Sequence, residues 1–486
     1  MSPTVPPPCQ GASVFSLEFR GLRSFLASPP ANFQCPSGTP GSCPKILTHT
    51  AEPRRAPVFL HAAGAVSLLA WVWLALLSGR GMHGLLGWML GVQALAWAAL
   101  LAVFLRRPDA PLRVVWLWAV LFRVAGFFAT PVLEDDWFRF LWDGRVFALT
   151  GNPYATAPAA SFGDATLPEP FQRILDRVNY PDVPTIYGPV CQYAFAACYA
   201  VAPGRLWPWK LLLFAADCCT IAALQRLARD GKPALFFAWC PLVIFETACN
   251  AHPESLAVAL LVAAIAISGP RKTVALTATL CALAVGAKIF ALLPAPLILR
   301  RLPRRAWIVF AAILTLLYAP FWLQGSTADL AGLRAMAGEW EFNSSLFALA
   351  QLAIPPPAAR MLCATIFAAV WLCVAWRQGP ARDPVRALLQ RSALLFAAFL
   401  LLSPTVNPWY LLWLLPSVAL SPSRAGVVAL AAVSLSYVTG LNLGHAHLRN
   451  FEHPAWLRPL EYGAIALAAI WDWARARASA RVPTAG

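Results

Sequence analysis

A long series of apolar segments, separated by short polar or basic stretches, fixes what this chain can fold into. Because lipid offers the backbone no hydrogen-bond partners, such segments cross a membrane as helices. Several are shorter than the roughly 20 residues with which a straight helix spans a bilayer, so some helices must be broken or re-entrant. The segments are 58–78, 83–105, 111–131, 186–225, 233–249, 254–268, 273–287, 289–299, 305–323, 344–354, 358–376, 387–403, 407–420, 424–442 and 456–474.

Composition agrees with a membrane protein. Hydrophobic residues make up 59% of the 486 residues and charged residues 12%, which exceeds the apolar share of soluble domains. The net charge of +16 does not indicate nucleic-acid binding, because Lys and Arg fall in short clusters between apolar segments, such as 106–107 and 300–305. We therefore predict an all-α polytopic membrane protein that binds no nucleic acid.

The basic clusters also predict an orientation. If they face the cytoplasm, about fourteen net crossings result, with both termini inside. Residues 1–50 are rich in Pro, Ser and Gly and lack the apolar core of a signal peptide, so we expect a disordered tail before a membrane domain at 51–480. The outer face then receives 134–185, 246–254, Lys288, 324–343, 403–410 and 445–453.

Three consecutive carboxylates, Glu134, Asp135 and Asp136, follow the apolar segment 111–131. Charges this close to hydrocarbon are costly and usually functional. Residues 137–146 predict an amphipathic helix along the membrane surface, with its rings in lipid. This pattern indicates the base-supplying loop, 134–185, of a membrane enzyme.

Other unusual polar residues lie on the predicted outer face. Asp143 shares a helix face with Asp136. Lys288 is a lone cation between apolar runs and needs an anion, which a lipid phosphate would supply. Glu246 and His252 flank a helix junction, where they either bind hydroxyls or orient a carboxylate, or form a satisfied pair at a helix end.

Two aromatic strings combine rings with amide or carboxylate groups. One holds Glu341 and Asn343 after a tryptophan, and the other holds Asn407, Trp409 and Tyr410. Rings with neighbouring hydrogen-bonding groups suit the apolar face and hydroxyl edge of a sugar. Aromatic belts at membrane interfaces produce similar strings without function.

Four motifs together resemble a known family. They are Asp-Asp-x-x-Arg-x-Leu-Trp-Asp-Gly-Arg-Val at 135–146, Gly-Asn-Pro-Tyr at 151–154, Thr-Ile-Tyr-Gly-Pro-Val at 185–190, and Ser-Pro-x-x-x-Pro-Trp-Tyr at 403–410. The chain resembles bacterial C-fold (GT-C) glycosyltransferases that depend on polyprenyl-phosphate mannose, from about residue 111 to 477. It has Asn407 where such proteins often carry His.

The resemblance implies an integral enzyme of the bacterial inner membrane and cell envelope. Its active site would face the periplasm, its donor would be a polyprenyl-phosphate hexose, and mannose as the sugar rests on the resemblance alone. The acceptor would be a lipid or a glycan. The residues that we expect to bind substrate are Glu134, Asp143, Tyr187, Glu246, His252, Glu341, Asn343, Asn407, Trp409 and Tyr410.

Transfer from a lipid phosphate needs a base for the acceptor hydroxyl and a cation for the departing phosphate. We expect Asp136, or else Asp135, as the base, because repulsion among neighbouring carboxylates raises the pKa of at least one of them. Lys288 would hold the phosphate, with Arg139 or Arg145 as second choice, and a single displacement inverts the anomeric carbon. No cofactor is certain, and a divalent cation on Asp135 and Asp136 is an open alternative.

Two other classes of protein stay open at this point. A secondary transporter also places charges within the membrane, but it would show repeated halves, and the sequence has no internal repeat. A polymerase or ligase of lipid-linked glycans would carry an Arg-rich loop later in the chain rather than an acidic first loop.

Overall fold

The computed structural model describes residues 55–79, 85–106, 111–132, 135–228, 231–269, 271–377, 383–439 and 452–480. The predicted tail at 1–50 and Glu134 lie outside these ranges. Within them the secondary structure is helical and contains no strand, apart from an isolated parallel bridge between Phe342 and Thr405. The predicted all-α class is confirmed for this part of the chain.

The described residues form a succession of helices. In chain order they are α1 (Arg55–Ser78), α2 (Leu85–Arg106), α3 (Leu112–Phe127), α4 (Asp136–Thr150), α5 (Glu169–Leu175), α6 (Pro189–Val201), α7 (Trp207–Leu227), α8 (Lys232–Trp239), α9 (Pro241–Cys249, π-helical from Ile244), α10 (Glu254–Ile267), α11 (Val274–Ala287), α12 (Ala295–Leu299), α13 (Arg305–Trp322), α14 (Leu330–Glu339), α15 (Leu346–Gln351), α16 (Pro356–Trp376), α17 (Pro384–Leu402), α18 (Leu415–Leu420), α19 (Arg424–Ala432) and α20 (Leu457–Ala480). Short 3-10 helices lie at Pro158–Ser161, Arg271–Thr273, Ile289–Leu292, Pro408–Trp413 and Val433–Tyr437.

Six of the described helices, α1, α2, α7, α13, α16 and α17, are long and apolar enough to cross a membrane. In the apolar 18-residue stretch of each helix, only 17% of the residues of α13 and 11% of those of α16 are buried inside the protein. Apolar side chains that face outward at this density are stable in lipid rather than in water. The helices therefore indicate integration in a membrane.

One apolar segment is broken, as the short lengths predict. Helices α8 and α9 meet at an angle of 46° at Cys240. Pro241 has no backbone N–H and disfavours helical geometry in the residue before it, and Cys240 is extended, with φ −61° and ψ 119°. Further apolar helices of 10–17 residues include α6, α10 and α11.

Helix α4 is present where the carboxylate loop predicts it, and it ends at Gly151 in the left-handed conformation (φ 75°), which glycine adopts without steric cost. The expectation that its rings lie in lipid is wrong. Phe140 stacks on Phe195 of α6, with ring centroids 5.0 Å apart, and Trp142 packs in a cluster with Phe171 of α5. The loop after α4 folds back and covers the helix, so protein rather than lipid buries the rings.

Buried polar side chains hold the chain that leads into α4. Lys210 of α7 donates to the carbonyl oxygens of Gly126 and Ala129, at 3.0 and 2.6 Å, and so caps the end of α3. The backbone N–H of Val132 donates to Oδ1 of Asn250 at 2.9 Å. These contacts fix the segment that carries the acidic residues.

Candidate active site

A cavity of about 300 Å³ opens between the N-terminal ends of α4 and α10, Lys288 and the segments 179–187, 339–342, 405–410 and 436–439. It gathers residues that are far apart in the sequence. The polar and aromatic side chains of its lining include Asp135, Asp136, Arg139, Asn179, Tyr180, Tyr187, Glu254, Lys288, Glu339, Trp340, Glu341, Asn407, Trp409, Tyr410 and Tyr437.

Asp135 and Asp136 stand at the N-terminus of α4, where the helix dipole favours negative charge. The Asn179 amide bridges them, donating to Oδ1 of Asp135 at 2.8 Å and to Oδ1 of Asp136 at 2.6 Å. The Tyr187 hydroxyl donates to Oδ2 of Asp136 at 3.1 Å. Burial, and then the charge of Asp136, raises the pKa of Asp135 to about 6, although the Asn179 hydrogen bond opposes the shift.

Arg139 lies one helical turn further along α4 and also lines the cavity. Its Nε donates to Oδ1 of Asp143 at 3.0 Å, and its Nη2 donates to the Val183 carbonyl at 2.8 Å. Gln192 donates to the other oxygen of Asp143 at 2.9 Å. Asp143 is not among the lining residues, so its contact with the site is through the guanidinium that it orients.

Lys288 has an anionic partner within the chain. Its Nζ lies 2.7 Å from Oε1 of Glu254, and the Glu254 side chain is fully buried. The ammonium also lies 5.6–5.7 Å from the ring centroids of Tyr187, Phe290 and Tyr410. The anion that this lone cation needs is therefore supplied within the chain by Glu254.

The Lys288–Glu254 pair follows from a helical hairpin. Helices α10 and α11 have 14 residues each and pack side by side, so the N-terminus of α10 meets the C-terminal end of α11. An acid at the first position and a base after the last also complement the helix dipoles. The equal helix lengths are the sequence signal from which the pair is predictable.

Tyr187 lies near Lys288 because the backbone of the next residue, Gly188, passes close to the end of α11. A Cβ atom on Gly188 would lie 2.3 Å from the carbonyl oxygen of Gly286, so only glycine allows the loop to pass so near the end of α11.

Glu246 and His252 are fully buried behind the cavity wall rather than in it. His252 Nδ1 lies 2.9 Å from Oε2 of Glu246, and Tyr437 donates a hydrogen bond to the other carboxylate oxygen. The imidazole stacks on the indole of Trp409, with centroids 3.9 Å apart and planes at 16°. The pair therefore touches the site through Trp409 and Tyr437, which line it.

Two expected residues point away from the cavity. Arg145 lies nine positions after Asp136, about 180° around a helix of 3.6 residues per turn. Its guanidinium lies 4.6 Å from the Phe171 ring centroid and 3.4 Å from the Tyr199 hydroxyl. Asn343 is fully buried and donates to Glu461 at 3.1 Å.

The remaining expected residues, Glu341, Asn407, Trp409 and Tyr410, line the cavity. Backbone hydrogen bonds from Phe342 N to Pro404 O, at 3.0 Å, and from Val406 N to Phe342 O, at 2.8 Å, hold the two aromatic strings together. Sequence reasoning missed Asn179 and Tyr180, since no local pattern shows that their turn folds back onto α4.

The described lining is acidic. Its carboxylates are Asp135, Asp136, Glu254, Glu339 and Glu341, and its cations are Arg139 and Lys288. In the part of the chain that the structure describes, no group of three or more His, Cys, Asp and Glu side chains is arranged to hold a metal ion.

Comparison with known proteins identifies the family. Residues 46–302, more than half of the chain, match the MptA_B family, described as alpha-(1->6)-mannopyranosyltransferase, N-terminal domain. No curated protein and no solved structure matches the chain. The match covers Asp135, Asp136, Arg139, Glu254 and Lys288, and the chain thus belongs to the alpha-(1->6)-mannopyranosyltransferase family, which makes it a hexosyltransferase.

Proposed function

We propose that this protein transfers mannose from polyprenyl-phosphate mannose to a hydroxyl group of a lipid or glycan acceptor, with inversion at the anomeric carbon. The observation that carries the proposal is the cavity in which two bridged carboxylates face a buried ammonium among aromatic rings. The family assignment favours this function over a transporter or a glycan polymerase.

In the proposed reaction the acceptor oxygen attacks the anomeric carbon while its proton passes to a carboxylate. The bond between that carbon and the phosphate oxygen breaks, and its electron pair leaves with the polyprenyl phosphate. Asp136 is our candidate base, because Tyr187 and Asn179 hold its oxygens in place. Asp135 carries a raised pKa and is the alternative.

The departing phosphate needs positive charge, and Lys288 and Arg139 are the cations of the described lining. An ammonium has three N–H donors, so Lys288 can keep Glu254 and still donate to a phosphate oxygen. Arg145 is withdrawn from this role, because its guanidinium lies on the other side of α4.

We propose that these residues act without a divalent cation. The side-chain amide of Asn179 donates a hydrogen bond to one oxygen of Asp135 and another to one oxygen of Asp136. An amide N–H group is not a metal ligand. The site would lie on the periplasmic face of the bacterial inner membrane, within a topology of about fourteen crossings.

The test of the base is Asp136→Asn, assayed with radiolabelled polyprenyl-phosphate mannose beside the glucose and aminoarabinose donors. The amide keeps the shape of the side chain but does not accept the proton, so transfer should fall at least a hundredfold, at the low end of what positioned acid–base groups contribute. Asp135→Asn is assayed beside it, with Asp164→Asn, in an exposed part of the loop, as the matched control. Near wild-type turnover in both Asp135→Asn and Asp136→Asn would refute the acidic loop as the base.

A further inference from the structure

We infer that the stacked rings of Tyr180 and Trp340 form the acceptor platform, on which an uncharged sugar of the acceptor lies. The inference rests on the proposed function and assigns one end of the cavity to the acceptor. The two rings stack with centroids 4.2 Å apart and planes at 30°, and both line the cavity. A pyranose presents an apolar face of C–H groups, which flat aromatic surfaces bind.

The platform is joined to the proposed base through the backbone. Tyr180 directly follows Asn179, whose amide bridges Asp135 and Asp136. Tyr180 has φ 45°, a left-handed conformation that is costly for a residue with a bulky side chain. Such strain persists where the surrounding structure enforces it and is concentrated at functional sites. The turn therefore holds the backbone of Tyr180 beside the residue that bridges the proposed base, and the ring of Tyr180 lines the same cavity as Asp135 and Asp136.

The Trp340 half of the platform is held rigidly. Its carbonyl oxygen accepts hydrogen bonds from Arg360 Nη2, at 3.1 Å, and from Thr405 Oγ1, at 3.2 Å. The Phe342–Thr405 bridge fixes the residues that follow it. A rigid surface loses little conformational entropy when a ligand binds, which suits a recognition site.

Charge assigns this end of the cavity to the acceptor rather than to the donor. Glu339 and Glu341 flank Trp340 in the sequence and both line the cavity, whereas Lys288 lies among Tyr187, Phe290 and Tyr410. Arg458 lies 3.6 Å from Oε1 of Glu341 and offsets its charge, so Glu339 contributes most of the negative charge beside Trp340. A donor phosphate is repelled by carboxylates and attracted by the ammonium. Carboxylates accept hydrogen bonds from sugar hydroxyls, so they favour a neutral acceptor sugar and disfavour an acidic one.

The experiment measures separate KM values for donor and acceptor in the full-length protein. The donor is polyprenyl-phosphate mannose, and the acceptor probe is octyl α-mannopyranoside. Trp340→Ala should raise the acceptor KM about tenfold or more, as removal of a large aromatic anchor does, while the donor KM changes less than twofold. Trp340→Phe should restore part of the acceptor binding, because a smaller ring remains.

The matched control is Trp322→Ala. Trp322 stacks on Tyr318, with centroids 5.5 Å apart and planes at 28°, but it does not line the cavity. This variant should leave both KM values within twofold of the wild type. A second arm replaces the probe with its uronic acid, octyl α-mannopyranosiduronate. In the wild type, the KM for this acidic probe should be about tenfold higher than the KM for the neutral probe. In Glu339→Gln, the KM for the acidic probe should be lower than it is in the wild type.

The outcomes distinguish a failure of the proposed function from a failure of the acceptor platform. If the wild-type protein transfers no mannose from the donor to the probe, the proposed function fails and the platform with it. If the wild type transfers mannose but Trp340→Ala changes the donor KM, or neither KM, the acceptor platform alone is overturned. Equal KM values for the neutral and the acidic probe would overturn the role of the flanking carboxylates.

Discussion

Lys288 has both a structural and a chemical role in our proposal, and a pair of variants separates them. Lys288→Met keeps most of the side-chain volume but removes the charge. It leaves Glu254 as an unpaired carboxylate at a position with no exposure to solvent. Lys288→Met combined with Glu254→Gln removes both charges and leaves no buried ion without a partner.

The expected magnitudes differ for stability and for donor binding. Removing one partner of a buried ion pair costs about 3–5 kcal/mol, so Lys288→Met should be clearly destabilised. The double variant should recover most of that loss. A charge-assisted hydrogen bond to the leaving phosphate contributes about 1.5–3 kcal/mol, so both variants should lose roughly ten- to a hundredfold in kcat/KM for the donor.

Two assays on the same purified protein make the comparison. Thermal unfolding in detergent reports stability, and initial rates at varied donor concentration report kcat and KM. Lys288→Arg keeps the positive charge and should restore donor kinetics in part, because a guanidinium has a different shape from an ammonium.

One result would refute the reasoning. If the double variant unfolds like the wild type and has wild-type donor kinetics, Lys288 serves only as the partner of Glu254. The phosphate contact would then pass to Arg139, which also lines the cavity.

Three further predictions concern pH, metal dependence and orientation. The pKa of Asp135 is raised to about 6, so kcat/KM should fall as the pH drops below 6. Because the folded protein binds a proton that the unfolded chain has lost, stability should decrease as the pH rises from about 4 to 6. Asp135→Asn should make this decrease smaller without removing it, since burial raises the pKa of Asp329 to about 6 as well. Treatment with EDTA should leave transfer within twofold of the untreated rate, and a loss that Mg²⁺ or Mn²⁺ reverses would instead make Asp135 and Asp136 metal ligands. In a cysteine-depleted background an impermeant maleimide added from the periplasm should label Gly338→Cys and not Arg304→Cys, both exposed positions, and the opposite pattern would invert the proposed topology.

The sequence by itself determined the features that depend on neighbouring residues. Apolar runs predict helices that enter a membrane, because each turn satisfies its own backbone hydrogen bonds wherever the segment lies in the fold. Helix α4 and its end at Gly151 were predictable for the same reason, since helical periodicity and left-handed glycine are local properties. The four motifs at 135–146, 151–154, 185–190 and 403–410 also indicated the mannosyltransferase family, which the match over residues 46–302 shows.

Only the tertiary structure decided which of the unusual residues meet. Asn179 reaches Asp135 across 44 positions of the chain, and Gln192 reaches Asp143 across 49. Sequence reasoning placed Asn343 among the substrate ligands, and packing instead turns it toward Glu461, 118 positions away. Such contacts are set by how helices and loops pack, and a pairing between distant residues leaves no pattern in a single sequence.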